Sequence, residues 1–286
     1  MQQLHVGRGT SRGALTVFPV WGEYARPRGY SLDGSALISE QEQGAVVSSL
    51  TVTNRGTRPL LMLEGQLVEG GLQNRVLERS VLVPAQGAMD LDVFCVEAGR
   101  WVGGRDHERN DRRASLRVRS ARTVTDDQQG EVWRRVAEYQ TRFGANDTDS
   151  LVEHDDRAGA DVDGLVQDFR TLPGQVGVVV GISGQPVMAE IFDSPSTLLR
   201  QFRSLVRAAG LDALGQDETP TPSRRARRFV ERASRVQRQA VAPAGVGTSL
   251  VGSDEYATVR ALAWRRRDVH LVAINPRHPL NLVSAH

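Results

Sequence analysis

The sequence predicts an α+β protein, in which an antiparallel, β-rich and sandwich-like N-terminal part packs against an α+β C-terminal part. Short runs of branched residues, separated by turn clusters, fill the chain up to about residue 100. Apolar residues at helical spacing appear only after residue 123. The first half shows no alternation of strands with helices, which argues against a Rossmann unit.

The first half contains five runs that we interpret as strands. In the second run, Leu50 and Val52 share one parity with Val46, opposite to the hydroxyl residues between them, which predicts one buried face. Gly and Pro clusters between the runs are typical of turns. The five runs are 14–21, 45–53, 59–69, 75–84 and 89–97.

The second half combines helices with strands. The segment 194–210 is the clearest helix: Ser194 can cap it, Pro195 suits its first turn, and Gly210 is expected to end it. Apolar stripes predict two further helices, so that helices are expected near 130–143, 195–209 and 224–240. A hairpin turning at Ser183 and Gly184 is expected within 174–192, and two strands joined through "RRRD" within 256–275.

These patterns predict two domains: a β-rich domain over 14–122 and an α+β domain with three helices over 123–275. Within the second domain, 146–173 is expected to be an acidic loop or linker, because 146–168 holds eight acids and one arginine. The segment 223–239 instead holds seven arginines and one glutamate. We expect its arginines to face solvent or a partner, and hypothesise that the acidic segment is that partner.

Composition excludes several kinds of chemistry. All 36 basic side chains are arginine, so no lysine is present for a Schiff base or a phosphate-binding GxxxxGK[ST] loop. The single Cys95 rules out an intrachain disulfide and a cysteine-cluster metal site. No HExxH or EF-hand spacing is present, so no metal site is predicted, and no cofactor is indicated. Without a signal-like or membrane-spanning apolar stretch, the expected location is the cytoplasm.

The stretch "EGGLQNR" (69–75) lies between two strand-like runs. Two adjacent glycines suit a plain hairpin turn, and a surface pair between Arg75 and Glu69 would account for both charges. The alternative is a ligand loop, because the polar side chains here offer acceptors, donors and one rigid guanidinium fork within a short arc. The candidate ligand-binding residues of this stretch are Gly70, Gly71, Gln73, Asn74 and Arg75.

A second candidate segment is "VFCVEAGRW" (93–101). Arg100 is a candidate for phosphate or carboxylate binding, and Trp101 for stacking on a flat ring. A buried carboxylate is costly unless it is paired or used, so Glu97, Glu69 and Glu64 are the candidate catalytic or ribose-binding carboxylates.

Cys95 and His270 are a weaker pair of candidates. A lone cysteine inside an apolar strand is usually a packing residue. A cysteine nucleophile would need a base, and His270 is the histidine that lies within a clear strand. The sequence leaves the roles of both residues open.

The run "EGQLVEGGLQNRVLERSVLVPAQGAMDLDVFCVEAGRW" (64–101) resembles the signature of the ADP-ribosylglycohydrolase- and rhodanese-phosphatase-associated protein domain. The later "GEVWRRV" and "GVVVGISGQPVMAEIFDSPSTLLRQF" are similar to that family's second block, and the resemblance spans about 14–275. The family is named after gene neighbours that act on ADP-ribose conjugates or phosphoesters. The resemblance therefore implies nucleotide- or ADP-ribose-linked biology, in bacterial conflict or NAD-linked metabolism, and assigns no catalytic residues.

Three functions remain open on the sequence, and it does not decide whether the protein is an enzyme. The favoured one is binding or processing of a nucleotide-derived, ADP-ribose-like small molecule at 64–75 and 97–101. The first alternative is a non-catalytic assembly or adaptor domain. The weaker alternative is nucleic-acid binding by arginines, which the low net charge of +2 and the lack of a recognised motif argue against. No membrane partner is expected, and a homo-oligomer stays open.

Overall fold

The computed structural model describes residues 4–23, 29–33, 36–121 and 127–282. The chain divides into two compact units. The first unit comprises Met1–Pro27, Ala160–Ala242 and Ser249–His286, and the second comprises Arg28–Gly159 and Pro243–Thr248. Strands and helices are mixed as predicted, and the strand-rich first half confirms the α+β class. Among the described residues, no helix combines the length and apolarity needed to cross a bilayer.

The strands that precede the first helix are β1 (His5–Val6), β2 (Thr10–Arg12), β3 (Leu15–Trp21), β4 (Ala36–Ser39), β5 (Ser49–Asn54), β6 (Leu60–Met62), β7 (Gln66–Gly70), β8 (Arg75–Leu77), β9 (Val81–Val83), β10 (Gly87–Cys95) and β11 (Asp106–Arg113). The later strands are β12 (Gly177–Ile182), β13 (Gln185–Phe192), β14 (Gln239–Ala244), β15 (Gly247–Ser253), β16 (Thr258–Trp264) and β17 (Arg267–Ile274). The predicted hairpin that turns at Ser183 and Gly184 is confirmed. The two strands predicted on either side of "RRRD" are confirmed as the antiparallel pair β16 and β17.

The helices are α1 (Leu116–Ser120), α2 (Gln128–Ala137), α3 (Gln140–Phe143), α4 (Leu151–Arg157), α5 (Gly159–Val166), α6 (Pro195–Ala213) and α7 (Ser223–Arg235). The three predicted helices are present, with two corrections: the first is divided into α2 and α3, and the third ends at Arg235, whereas 240 was predicted. Strand β14 begins at Gln239, within the predicted helix. Helix α6 continues past Gly210, where we expected it to end. A Cβ at Gly210 would lie 2.9 Å from Val166, so this glycine allows close packing and does not terminate the helix.

The acidic segment 146–173, expected to be a loop or linker, contains α4 and α5. Ser150 caps α4 by accepting a hydrogen bond from the amide of Glu153. Leu151 and Val162 are buried, because the few apolar residues of this stretch fall on the inner faces of the two helices. Acidic composition is typical of a solvated surface, and here that surface belongs to helices.

The first unit is built on a nine-stranded sheet with the order β1-β3-β12-β13-β17-β16-β15-β14, in which β2 pairs with the outer part of β3. Strand β3 lies beside β12 with Leu15 opposite Ile182 and Val20 opposite Gly177. The run 14–21, which we had grouped with the other N-terminal strands, thus pairs with a strand that lies about 160 residues later. Helix α7 packs its apolar residues Phe229 and Val230 on one face of this sheet.

The exposed arginines of α7 confirm that its polar face is not buried: Arg224, Arg225, Arg227 and Arg228 are all exposed. The acidic segment forms ion pairs with other arginines. Asp168 pairs with Arg12, Asp163 with Arg207 and Asp156 with Arg112. Within the described parts of the chain, these contacts do not match the hypothesised pairing with α7.

The second unit contains a closed barrel with the strand order β10-β5-β4-β11-β7-β8, next to a small ribbon of β6 and β9. Six strands of the β-rich N-terminal part therefore close on themselves, so that the barrel itself has no open edge. Leu50 and Val52 are buried in the barrel as the alternation predicted, whereas Val46 is exposed because it lies before β5 begins. The closure matters for function because it brings the ends of six strands together.

Candidate functional site at one end of the barrel

Six strands meet at the end of the barrel where β4, β7 and β10 finish and where β5, β8 and β11 begin. The strand register places His107 opposite Gly70, and Cys95 opposite Arg75. Glu40 directly follows β4, which pairs with β11 through Asp106 and Ser39. We call this group of residues, Glu40, Gly70 to Arg75, Cys95 to Trp101 and His107, the barrel-end site.

The glycine pair lets the chain turn beneath a histidine ring. Gly70 and Gly71 have φ of 104° and 52°, a left-handed backbone that disfavours residues with a Cβ. A Cβ on Gly71 would lie only 2.0 Å from Nε2 of His107. The amide of Gly70 donates to Oδ1 of Asn74 at 3.0 Å, which closes the loop between β7 and β8. Glycine is therefore required here by both conformation and space.

Glu97 holds the two sequence motifs together. Its carboxylate accepts hydrogen bonds from the Asn74 amide at 2.9 Å, from Arg100 at 2.7 Å and from the Thr148 hydroxyl at 2.9 Å. Burial by itself would raise the pKa of Glu97, but these three donors outweigh burial, and its pKa lies below the ordinary value. Glu97 is thus ionised at neutral pH.

Arg100 and Gln73 complete the connection. Arg100 donates to the carbonyls of Gly71 at 2.8 Å and Gly70 at 3.2 Å, in addition to Glu97. The side-chain amide of Gln73 donates to the carbonyl of Glu97 at 2.9 Å. The two motifs are therefore in direct contact and form one continuous wall of the site.

Arg75 is fully buried next to this wall. Its guanidinium lies 3.9 Å from Oε1 of Glu40, beyond hydrogen-bond range. Among the described residues, no group accepts a hydrogen bond from any of its three nitrogens. Burial lowers the pKa of Arg75, and the nearby Cys95 and Glu40 oppose that change. The guanidinium carbon also lies 5.7 Å from the centre of the Trp101 ring, which is half exposed.

Glu40 and His107 belong to the same site and were missed by sequence reasoning. Oε1 of Glu40 lies 3.2 Å from Nε2 of His107 and accepts from the Leu72 amide at 3.3 Å. No protein group within the described residues hydrogen-bonds Oε2 of Glu40 or Nδ1 of His107. Burial lowers the pKa of His107 more than Glu40 raises it, which favours the neutral imidazole. Only the position of Glu40 at the end of an apolar run could have pointed to it.

The other two candidate carboxylates lie apart from this cluster. Glu64 precedes β7 at its opposite end and is buried in an ion pair with Arg119 at 3.3 Å. Glu69 is on β7 itself and lies 3.8 Å from Arg112. The structure therefore does not bring Glu64 to the barrel-end site, and it pairs Glu69 with an arginine other than Arg75.

Cys95 and His270 lie in different units and have different neighbours. The Cys95 thiol is buried, which raises its pKa, and its sulfur accepts from the Glu97 amide at 3.4 Å. His270 lies 2.9 Å from Oε1 of Glu190 in the first unit. A raised thiol pKa disfavours the thiolate that a nucleophile needs. Among the described residues, no group of three His, Cys, Asp or Glu side chains could hold a metal ion.

The barrel-end site thus combines a buried guanidinium on Arg75, a half-exposed ring on Trp101 and side-chain oxygens on Glu40 and Gln73. In comparison with known proteins, the chain matches the model of the ARG and Rhodanese-Phosphatase-superfamily-associated Protein domain over residues 3–274. No curated protein and no solved structure matches the chain. Since the match covers nearly all of the sequence, this chain belongs to the ARG and Rhodanese-Phosphatase-superfamily-associated Protein domain family.

Proposed function

We propose that the barrel-end site binds a nucleotide-derived small molecule of the ADP-ribose type, and that Arg75 recognises its phosphate. The observation that carries the proposal is the buried Arg75, whose nitrogens have no hydrogen-bond acceptor in the described part of the chain. The family name adds support, because it associates these domains with ARG proteins, which we interpret as ADP-ribosylglycohydrolases. The proposal assigns binding and leaves the reaction open.

A buried guanidinium without hydrogen bonds is costly for the free protein. Each unsatisfied buried polar group costs about 1–3 kcal/mol, and more where it is charged. Glu40 at 3.9 Å compensates part of the charge but satisfies none of the N–H groups. A phosphate would accept two parallel hydrogen bonds from the planar fork, which is the geometry that guanidinium groups favour.

Trp101 controls the access to Arg75 in this proposal. Its ring packs over the guanidinium and exposes about half of its surface, 50%. When the side chain turns aside, the phosphate reaches Arg75, and the ring then offers its face to the base. Stacking of a base on an aromatic side chain contributes about 1–3 kcal/mol.

The carboxylates divide into two roles. Glu97 is held ionised by three donors, so it positions Arg100 and the glycine loop and is a poor base at neutral pH. No donor among the described residues hydrogen-bonds Oε2 of Glu40 or Oε1 of Gln73, and these two oxygens are the acceptors that suit ribose hydroxyls. Glu69 and Glu64 are the less favoured candidates, because both already contact arginines.

The proposal is tested by calorimetric titration of the full chain with ADP-ribose, NAD and nucleoside phosphates. Arg75→Ala is expected to weaken binding by about 1.5–3 kcal/mol, because it removes charge-assisted hydrogen bonds. Trp101→Ala changes a half-exposed side chain, keeps the fold, and is expected to weaken binding by about 1–3 kcal/mol. Trp264→Ala is the matched control, since Trp264 also stacks with an arginine but lies in the first unit.

If the wild-type protein binds none of these ligands, the adaptor alternative replaces this proposal. Equal losses in the Trp101 and Trp264 variants would also contradict it, because they would indicate a general effect on folding. The nucleic-acid alternative depends on the exposed arginines of α7. If Trp101→Ala protein is still retained on immobilised DNA, the DNA-binding surface is the α7 surface and not the barrel-end site.

A further inference from the structure

The first unit contains a cavity of about 460 Å³, and none of the residues that line it belongs to the barrel-end site. It lies next to the C-terminal end of α7, since Arg238, three residues after the helix, lines it. Leu4, Ile191 and Leu250 form an apolar floor, and all three pack against the core between α7 and the sheet. Cavities of a few hundred Å³ with an apolar lining and a few polar groups are typical of small-molecule sites.

The rim of this cavity includes an unusual hairpin turn. Arg265 and Arg266 form the two-residue turn between β16 and β17 and have φ of 50° and 63°. The corresponding turn between β12 and β13 uses Ser183 and Gly184, with φ of 48° and 80°. Glycine suits the second position of such a turn, and a side chain with a Cβ is disfavoured there. An arginine at 266 therefore strains the backbone at a position where glycine would not.

The two arginines of the turn have different surroundings. The guanidinium of Arg265 stacks on the Trp264 ring at 4.2 Å. Arg266 lines the cavity together with Arg267. The backbone strain at Arg266 has a functional reason if its side chain binds a ligand in the cavity.

Charge is distributed unevenly along the cavity. Asp268 is paired with Arg238 at 3.0 Å, so these two charges offset each other. The other acids of the lining, Asp193 and Glu23, follow β13 and β3. Strand β3 is three strands away from β17, which is roughly 14 Å at the usual strand spacing. Asp193 lies nearer, because β13 pairs with β17 and the Asp193 amide donates to the carbonyl of Val269 at 3.0 Å. Apart from the Arg238–Asp268 pair, the hairpin end therefore holds two arginines, Arg266 and Arg267, against one acid, Asp193.

We propose that this cavity binds an amphipathic organic anion, with its apolar body on the leucine and isoleucine floor and its anionic head at Arg266 and Arg267. A carboxylate and a phosphate head share the required chemistry, because both present anionic oxygens to guanidinium groups. The apolar body is required as well, since both arginines are exposed and a contact with an exposed charge is weak on its own.

The first experiment measures binding of four ten-carbon probes to the full chain by calorimetry. Decanoate and decyl phosphate carry the anionic head, decanol carries none, and decylammonium carries the opposite charge. We expect at least one of the two anions to bind about tenfold more tightly than decanol and decylammonium, and the stronger anion identifies the head. Binding of neither anion, or equal binding of decylammonium, overturns the proposal.

The second experiment uses the neighbouring arginines as matched variants. Arg266→Gly removes the head contact and relieves the backbone, so the melting temperature is expected to stay equal or rise while the Kd for the anion rises about threefold to tenfold. Arg265→Gly relieves the same kind of strain outside the cavity lining and is expected to leave the Kd unchanged. Equal Kd values for Arg266→Gly and wild type contradict the proposal.

A third variant protects the test from folding effects. Leu250→Asp places a charge on the half-buried floor and is expected to abolish binding of the anion. The melting temperature of each variant, compared with that of the wild type, is the control for the fold and does not depend on ligand binding at the barrel-end site. Unchanged anion binding by Leu250→Asp would show that the probe binds elsewhere.

Discussion

Arg75 and Glu97 are buried charges of opposite sign whose surroundings differ. Glu97 has three donors around its carboxylate, whereas no acceptor among the described residues hydrogen-bonds the nitrogens of Arg75. A satisfied buried charge stabilises the loops that it connects, and an unsatisfied one is a candidate for ligand recognition. The same two segments thus contain a structural residue, Glu97, and the residue that we propose for recognition, Arg75.

Glu97→Gln is expected to destabilise the protein at neutral pH by about 2–4 kcal/mol, because Arg100 loses its buried partner. The folded-state pKa of Glu97 is lowered, so its contribution is complete above the unfolded pKa, about 4.3, and is lost as the pH falls through the folded value. The difference in melting temperature between wild type and variant should therefore shrink below about pH 4.3.

Melting curves between pH 7 and pH 2 measure this difference. Glu255→Gln is the control, since Glu255 forms an exposed pair with Arg277 that contributes little. A difference that stays constant down to the lowest pH would show that Glu97 does not act through its charge.

At the level of secondary-structure elements, glycines have two separate uses in this protein. Gly71 combines a left-handed backbone with a histidine ring against its Cα, whereas Gly215 has a φ of 66° and open space around it. Gly210 lies inside α6 and is needed only for packing against α5. The residue type alone does not distinguish these situations.

Gly71→Ala is expected to destabilise the protein by about 2–5 kcal/mol, the sum of backbone strain and a clash with His107. Gly215→Ala introduces the strain without the clash and is expected to cost about 1–2 kcal/mol. Denaturant unfolding of both variants isolates the steric contribution. Equal losses would mean that the His107 ring moves aside freely and that the loop is not closely packed.

Helix α6 begins with the serine cap that the sequence predicts. The hydroxyl of Ser194 accepts from the amide of Thr197 at 3.3 Å, as the pattern Ser-Pro predicts. Ser194→Ala is expected to lower the free energy of unfolding by about 1 kcal/mol. Ser204→Ala, inside the same helix, is the control in the same denaturation experiment, because the Ser204 hydroxyl donates to the carbonyl of Gln201 and not to the cap. A similar loss there would contradict a specific capping role.

At the level of the whole molecule, the chain leaves the first unit and returns to it. Strand β3 pairs with β12, although 155 residues lie between Trp21, where β3 ends, and Gly177, where β12 begins. The predicted domains, 14–122 and 123–275, remain a prediction. Their boundary falls on 122–126, outside the described residues.

A protease site inserted at 122–126 tests this division. The cut protein is expected to elute as one species in size-exclusion chromatography under native conditions, because β3 and β12 are hydrogen-bonded along six residue pairs. Their separation should require denaturant. Fragments that separate without denaturant would instead support two independently folded domains divided at that boundary.

The sequence by itself determined the elements that local patterns control. Alternation predicted the buried face of β5, the Ser-Gly pair predicted the turn between β12 and β13, and the apolar stripe with Ser194 predicted α6. It also brought the two motifs at 69–75 and 97–101 into one candidate site, since the turn at 84–87 returns the chain on itself. Each of these signals depends on residues close together in the chain.

Only the tertiary structure decided which strands are neighbours and which charges have partners. Barrel closure places Glu40 and His107 beside Arg75, although His107 follows Arg75 by 32 positions in the sequence. The only local signal for either residue is the position of Glu40 at the end of an apolar run. It also separates Glu64, whose carboxylate pairs with Arg119. The physical reason is that contacts between distant segments depend on the packing of the whole core, and the charge state of a buried group depends on every neighbour which that packing supplies.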